Sequence, residues 1–228
     1  VDGIIALQGD LDQAGNSMDV AVEGEFNLAA LESFRPGLTA RGQSELDVRI
    51  RGTAAKPSVR GRMQIRNGTL RHTSFANGLS KLNGRIRFNE GMARIEELRA
   101  ESGGGTLALG GTVVRENDRW DYRLQADIDS IRVRYPESLS SVINGRLTYS
   151  GTDLRSLLSG EVVVNRVTIG SDLSLGNVIA SLAEPTQTPA SNQVLVNMGL
   201  SVRIASVPNL LIETGLIRNV QASMDLQL

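Results

Sequence analysis

The sequence predicts an all-β protein built from antiparallel strands, with one or two short helices. Three observations predict this class. Apolar and polar residues alternate along most of the chain, as in strands with one apolar and one solvated face. Pairs of residues that tolerate positive φ, such as Glu90-Gly91, recur at short spacing and favour tight turns between antiparallel neighbours. Helical periodicity is sparse.

The first helical signal lies at residues 27–34. Asn27 is a suitable N-cap, apolar residues follow at helical spacing, and Arg35-Pro36-Gly37 ends the pattern. A second short helix is expected between residues 173 and 182. The polar, proline-bearing stretch after it predicts a mobile loop at 183–193.

Strand signals occupy most of the remaining chain. In residues 45–51 every even position is aliphatic, and every odd position is charged, so this strand has one dry face. The same alternation marks 84–88, 106–113, 122–128 and 220–228. Residues 115–119 predict a charged hairpin tip. Turns are expected at Asn67-Gly68, Asn77-Gly78, Asn83-Gly84, Glu90-Gly91, Gly103-Gly104-Gly105 and Asn144-Gly145.

The spacing of glycines indicates an internal duplication. Gly52 and Gly61 are matched by Gly151 and Gly160, each 99 positions later, and the flanking aliphatic residues keep the same parity. We therefore expect repeat units around residues 40–140 and 141–228 of an elongated sheet. Residues 1–228 are interpreted as a fragment of a larger repetitive β domain.

Composition limits the function classes. The 228 residues contain 24 Lys and Arg against 25 Asp and Glu, so the net charge is −1. Nucleic-acid binders usually carry a clustered basic excess, so specific nucleic-acid recognition is not expected. The absence of Cys removes thiol nucleophiles, cysteine-ligated zinc and disulfides. No apolar run approaches the ~18 residues that a membrane-spanning helix needs.

No catalytic or cofactor site is predicted. His72, the single histidine, follows a strand beside Arg71 and is interpreted as a surface residue. Asp121, Asp127 and Asp129 are interpreted as solubilising charges of one strand. No Lys-Ser or Lys-Thr pair follows Gly103-Gly104-Gly105, so this glycine run is expected to form a turn or bulge and no phosphate loop.

Several segments together resemble the C-terminal region of the TamB family, the inner-membrane subunits of the translocation and assembly module. They are PSVRGRMQIRNG (57–68), LNGRIRF (82–88), GGTLALGG (104–111), GEVVVNRVTI (160–169), LSVRI (200–204) and PNLLI (208–212). The resemblance implies a periplasmic fold of the AsmA-like superfamily: a long antiparallel sheet curled like a taco shell, with an aliphatic concave face and a polar convex face. It also implies an N-terminal anchor in the inner membrane and an Omp85-type barrel partner in the outer membrane. The anchor and the segment that binds the partner are expected in parts of the protein outside this chain.

A curled sheet with one aliphatic face can either be covered by another layer or remain open as a groove. The few helices and few aromatic residues favour the groove, while a closed β-sandwich or solenoid remains the alternative. An open groove suits phospholipid acyl chains, and the resemblance implies a role in lipid transport and outer-membrane protein assembly, so the first hypothesis is lipid conduction between the inner and outer membranes. The second is a chaperone or scaffold that assembles outer-membrane β-barrel proteins by strand addition at an open edge, and the third is a passive periplasmic spacer.

Strand parity predicts which residues share the two faces. The polar face is expected to carry Arg49, Arg51, Arg60, Arg62, Arg66, Arg85 and Arg87. The residues predicted to line the lipid groove are Val48, Ile50, Met63, Ile65, Ile86, Phe88, Leu107, Leu109, Leu124, Ile128, Leu147, Val162, Val164, Val202, Ile204, Val220 and Met224.

Overall fold

The protein forms one large sheet. The computed structural model describes residues 5–11, 17–34, 36–53, 56–73, 77–116, 119–134, 139–169, 198–214, 220–222 and 225–227. The strands are β1 (Ile5–Leu11), β2 (Met18–Asn27), β3 (Leu38–Gly52), β4 (Pro57–His72), β5 (Leu79–Asn89), β6 (Met92–Ser102), β7 (Gly105–Glu116), β8 (Arg119–Arg134), β9 (Leu139–Thr152), β10 (Ser156–Ile169), β11 (Met198–Thr214), β12 (Val220–Ala222) and β13 (Asp225–Gln227). A short 3-10 helix, Leu28–Phe34, joins β2 to β3.

The strands follow one another across the sheet in chain order. β1 forms one edge, and β12 and β13 both pair with β11 at the other edge. The sheet is open and curled, which confirms the predicted all-β, taco-like class. One neighbouring pair departs from the antiparallel rule, because β10 and β11 run parallel.

The parallel pair has a physical explanation in the length of its connection. Parallel neighbours need a crossover of a dozen or more residues, whereas antiparallel neighbours can be joined by a tight turn. The connection between β10 and β11, residues 170–197, is long enough for a crossover. It lies outside the described residues, as do the helix predicted within 173–182 and the loop predicted at 183–193.

Three of the predicted turns lie inside strands instead. Asn67-Gly68, Asn83-Gly84 and Asn144-Gly145 are interior to β4, β5 and β9, so the prediction of turns there was wrong. At two of these sites the asparagine side chain has a different role: it accepts a hydrogen bond from the backbone N–H of a bulged residue on the neighbouring strand and so stabilises a β-bulge. Asn83 Oδ1 accepts from the backbone N–H of Asn67 (2.9 Å), and Asn144 Oδ1 accepts from that of Ser130 (2.7 Å). Asn67 and Ser130 have φ of 49° and 54°, which is typical of bulged positions.

Other turn predictions agree with the structure. Glu90-Gly91 connects β5 to β6, and Gly103-Gly104 connects β6 to β7. The hairpin predicted around 115–119 is also confirmed, since Arg115 pairs with Trp120 and Glu116 pairs with Arg119. Residues 117–118 at its tip lie outside the described residues.

The most buried part of the sheet lies beneath the 3-10 helix. Leu28 is 1% exposed and belongs to a cluster of buried hydrophobic residues. Asn27 Oδ1 accepts a hydrogen bond from Ala29 N–H (2.9 Å), so the predicted helix and its cap are confirmed. Glu32 anchors the other side of the helix, because its Oε1 accepts from Ala40 N–H (2.9 Å). The cluster comprises Leu28, Ala40, Ile65, Leu82 and Ala100, flanked by Phe26, Leu31, Met63, Leu70, Leu79 and Leu98.

The remainder of the sheet is much more open than a packed domain. Outside the helix cluster, the apolar residues of the described β7 to β9 are mostly only half-buried. The described part of the sheet therefore lacks a second layer over most of its length.

The two glycine pairs of the predicted duplication occupy equivalent positions. Gly61 pairs with Val48 in the β3–β4 hairpin, and Gly160 pairs with Leu147 in the β9–β10 hairpin, 99 residues further on. Their φ angles are 141° and 139°. The equivalent registers are what a duplication would produce, and the duplication itself and the proposed repeat boundaries stay a prediction.

Replacing Leu28 by Ala tests the energetic role of the helix. The side chain is 1% exposed, so its truncation should lower the free energy of unfolding by about 2–5 kcal/mol. Leu154→Ala is the matched control, because Leu154 is 62% exposed and should cost less than about 0.5 kcal/mol. Urea denaturation followed by circular dichroism measures both. Equal effects would contradict a helix-covered core.

Replacing Gly111 by Ala tests the close strand approach in the middle of the sheet. A Cβ on Gly111 would lie 2.1 Å from the carbonyl oxygen of Arg123, at a φ of 133°. Gly104 also has positive φ (85°), but nothing lies within 4 Å of its Cβ position. We expect Gly104→Ala to cost about 1 kcal/mol and Gly111→Ala more than about 3 kcal/mol of unfolding free energy. Similar urea midpoints for the two variants would contradict the described β7–β8 register.

Candidate apolar groove

One face of the sheet carries the aliphatic side chains of every strand from β3 to β11, and we call it the groove face. It can be traced along pairs of directly opposed residues. One line of the groove face runs through Leu46, Met63, Ile86, Ile95, Gly111, Leu124, Tyr149, Leu158 and Leu200. The adjacent line runs through Ser44, Ile65, Gly84, Leu98, Leu109, Ala126, Leu147, Gly160 and Val202.

The register brings nearly all of the sequence-predicted groove residues to this face. Directly opposed residues of neighbouring strands lie on the same side of a sheet, so pairing decides the face. Val220 is described by its backbone pairing with Ile212 alone, and Met224 lies outside the described residues. The residues that share the groove face are Val48, Ile50, Met63, Ile65, Ile86, Phe88, Leu107, Leu109, Leu124, Ile128, Leu147, Val162, Val164, Val202 and Ile204.

Some groove residues escaped sequence reasoning because bulges invert strand parity. Ile128 and Ile131 both lie on the groove face, although they differ by an odd number of positions, because the bulge at Ser130 lies between them. Ile95 and Leu98 are related in the same way by the irregularity in β6. The asparagine on the neighbouring strand was the available signal at Ser130. An isolated Asn-Gly pair, however, is indistinguishable from a turn in the sequence.

The opposite face is polar, as predicted. One line across it runs through Asp47, Arg62, Arg87, Arg94, Thr112 and Arg123. All seven arginines predicted for this face lie on it, and each forms an ion pair with a carboxylate. These pairs are Arg49–Asp19 (2.6 Å), Arg51–Asp19 (3.1 Å), Arg60–Glu90, Arg62–Asp47 (3.3 Å), Arg66–Glu45 (2.9 Å), Arg85–Glu96 (4.0 Å) and Arg87–Glu96 (2.9 Å).

Two carboxylates on this face are stabilised as anions. A hydrogen bond from Arg49 lowers the pKa of Asp19, and one from Arg146 lowers the pKa of Asp127. A lowered pKa means that the ion pair contributes to stability above the ordinary aspartate pKa, and the contribution is lost as the pH falls through the lowered value. Because both groups are exposed, water screens the pairs, and their role is mainly to keep this face solvated.

The groove face is covered only in part. Over β3 to β6 the 3-10 helix packs on it through Leu28 and Leu31. Over β7 to β11 no described helix or strand packs on this face, and residues such as Leu109, Leu124 and Leu147 remain half-exposed. The open part is therefore a trough with an aliphatic floor.

Aromatic side chains border this trough at the ends of β8 and β9. Trp120 is 41% exposed at the start of β8, and the guanidinium of Arg115 lies 5.7 Å from the centre of its ring. The rings of Tyr122 and Tyr149 are 5.7 Å apart and inclined by 50°. Burial, together with the charges of Tyr149 and Asp153, raises the pKa of Tyr122, so its hydroxyl is neutral at physiological pH.

Two depressions lie on the polar face above β7. One encloses about 620 Å³ and the other about 520 Å³. They arise because the polar face of β7 carries the small residues Thr106, Ala108 and Gly110 between longer charged neighbours. Their charged rims and shallow shape separate them from the apolar trough on the other face.

The described residues contain no candidate metal centre, and the residues weighed for catalysis lie on strands of the sheet. No cluster of three or more His, Asp or Glu side chains among them could hold a metal ion. His72 is half-buried at the end of β4 and pairs with Leu38 across the sheet. Asp127 contacts Arg146 (2.5 Å), and Asp121 contacts Arg123 (3.4 Å), as expected for charges on a solvated face.

No helix in the described part of the chain combines the length and the apolar composition of a membrane span.

Comparison with known proteins identifies a family. Residues 94–228 match the TamB C-terminal domain. No curated protein and no solved structure matches the chain. The match covers more than half of the chain, it includes the open trough of β7 to β11, and it agrees with the curled sheet described above. The chain belongs to the TamB family and carries its C-terminal domain.

Proposed function

We propose that this chain is a segment of a periplasm-spanning protein whose groove face conducts phospholipids between the inner and outer membranes. Proteins of the TamB family act in the translocation and assembly module as non-enzymatic components with an outer-membrane partner. In this proposal the full-length protein is anchored in the inner membrane. Parts outside this chain engage an Omp85-type barrel, and the chain itself supplies the path for acyl chains.

An apolar path lowers the free energy of moving a phospholipid through water, because of the hydrophobic effect. Each methylene exposed to water costs about 0.8 kcal/mol, so bringing both tails of a phospholipid into water costs on the order of tens of kcal/mol. The half-exposed aliphatic residues of β7 to β11 provide a surface on which those tails remain out of water. The floor has no deep polar anchor among its described residues, so no single position would hold a tail strongly.

The size of the groove face supports the proposal. The five uncovered strands, β7 to β11, at a spacing of about 4.8 Å extend over roughly 20 Å. The acyl layer of one membrane leaflet is about 15 Å thick, half of the hydrocarbon core. The uncovered part of the groove face therefore exceeds the length of an acyl layer. The continuous aliphatic register across these strands is the single observation that carries the proposal.

A charge placed on the trough floor should block lipid binding. We expect Leu124→Asp to remove co-purified phospholipid, because a carboxylate would have to be desolvated beneath the acyl chains. Gln125→Asp is the matched control, since it adds the same charge one position later on the polar face. Native mass spectrometry of the purified proteins measures bound lipid, and circular dichroism establishes that both variants fold.

Photocrosslinking provides a second test of the same proposal. A crosslinker at Ile50 or Leu124 should capture phospholipid in cells, whereas one at Arg49 on the polar face should not. Equal capture at all three positions, or a folded Leu124→Asp variant that retains full lipid occupancy, would contradict lipid conduction along the groove face.

A second function, strand addition to nascent outer-membrane proteins, is favoured by the exposed edge. β1 is the last strand on its side of the sheet, and its described side chains, Ile5 to Asp10, are all exposed. A free edge presents unpaired backbone groups to an incoming strand. This role would depend on the edge, whereas lipid conduction would depend on the groove floor.

Proline substitution at an edge separates the two functions. Gln8→Pro in β1 or Gln221→Pro in β12 removes a backbone donor and should abolish strand addition while leaving lipid binding intact. Assembly of a β-barrel client protein and the amount of bound lipid, by native mass spectrometry, are measured on the same variants. Normal barrel assembly by both proline variants would exclude strand addition, and impaired assembly with normal lipid binding would favour it.

A further inference from the structure

The side chains at the β7–β8 end of the trough are ordered by polarity. Along β7 the groove face carries Arg115 at the strand end, followed inward by Val113, Gly111, Leu109 and Leu107. The strand therefore passes from a guanidinium at the rim to aliphatic residues in the interior. The distance from Arg115 to Leu107 is eight residues, or about 27 Å of extended strand.

The next two strands of the sheet, β8 and β9, repeat this order with aromatic residues near the rim. β8 carries Trp120 and Tyr122, then Leu124, Ala126 and Ile128. β9 carries Tyr149, then Leu147 and Gly145, on the same face. The chain has 1 Trp and 3 Tyr, and aromatic residues are only 4% of it, so three of these four residues meeting at one rim is a concentrated feature.

Contacts fix the arrangement of these rim residues. The ring of Trp120 is covered by the Arg115 guanidinium at 5.7 Å, and Tyr122 meets Tyr149 at the same ring separation. Tyr122 is directly opposite Gly151 on β9. Trp120 is more exposed than the tyrosines, so the indole lies nearer to water and the phenols nearer to the aliphatic floor.

This order matches the chemistry of a glycerophospholipid. A guanidinium binds a phosphate with charge-assisted hydrogen bonds. Indole and phenol groups favour the boundary between water and hydrocarbon, where one side of the ring is apolar and the other can hydrogen-bond. Leucine and isoleucine suit acyl chains.

We propose that Arg115, Trp120, Tyr122 and Tyr149 form a headgroup site for a glycerophospholipid. The phosphate lies at Arg115, the glycerol ester region lies beside Trp120 and the tyrosines, and the acyl chains extend along β7 and β8 toward Leu107 and Ile128. The proposal deepens the proposed lipid conduction and rests on it, because it names the place where a lipid pauses with its headgroup at the trough rim.

Trp120 is the single tryptophan of the chain, so its fluorescence reports on this site without background from another indole. The full chain is titrated with phosphatidylglycerol brominated either near the carbonyl end or near the methyl end of its acyl chains. Bromine quenches a nearby indole. We expect stronger quenching from the bromines near the carbonyl end, because the ester region would lie beside Trp120.

A charge-deletion series tests the phosphate contact. Arg115→Gln should weaken binding of phosphatidylglycerol about tenfold, the effect of one charge-assisted hydrogen bond, and should leave binding of the phosphate-free diacylglycerol unchanged. Arg123→Gln is the control, since it removes the same charge from the polar face of β8, where its side chain is 77% exposed and near Asp121 (3.4 Å). Native mass spectrometry measures all affinities, and circular dichroism establishes folding.

The outcomes separate this site from the proposed function. Carbonyl-end quenching together with a phosphate-specific effect of Arg115→Gln would establish the headgroup site. Lipid binding by mass spectrometry without depth-dependent quenching of Trp120, or equal losses for both lipids on Arg115→Gln, would overturn the site and leave groove conduction intact. If the wild-type chain binds no lipid even at phosphatidylglycerol concentrations high enough to form vesicles, both proposals are overturned.

Discussion

The cross-strand register is the constraint on which the rest of this structure depends. Side chains alternate between the faces of a strand, so a shift by one residue would move a whole set of aliphatic side chains into water. Here the pairing holds from β2 to β11 and aligns leucine, isoleucine and valine into lines that cross the sheet. The same pairing collects the arginines and carboxylates on the other face. Both surfaces follow from one set of backbone hydrogen bonds.

The bulges mark the places where the sequence alone could not predict which face of the sheet a residue lies on. Alternation alone predicted the faces of straight strand segments, as at Val48 and Leu124. It could not predict that Ile131 shares the face of Ile128, because the bulge at Ser130 depends on a hydrogen bond that its backbone N–H donates to Asn144 Oδ1 on the next strand. Such a long-range contact has no local signature. The parallel pairing of β10 with β11 was likewise hidden, since the strand patterns are the same in either direction.

The 3-10 helix and the open trough divide the groove face into two environments. Beneath the helix, Leu28 and its neighbours form a small packed core that stabilises the strands from β3 to β6. Beyond it, most aliphatic residues of β7 to β9 are half-exposed and have no opposing layer in the described part of the chain. An apolar surface of this kind is costly in water, which gives it the character of a binding surface. The charged pairs keep the polar face solvated, so the apolar character is confined to the groove face.

The central claim is that the uncovered groove face receives acyl chains, and spin labelling tests it most directly. The chain has no cysteine, so a single label can be placed at Leu107 on the groove face or at Thr106 on the polar face. Relaxation by oxygen and by a polar nickel complex then reports the surroundings of each label before and after phospholipid is added. The account predicts that lipid raises oxygen accessibility and lowers nickel accessibility at position 107 while position 106 is unchanged. Identical responses at the two positions, or no response at position 107, would contradict it.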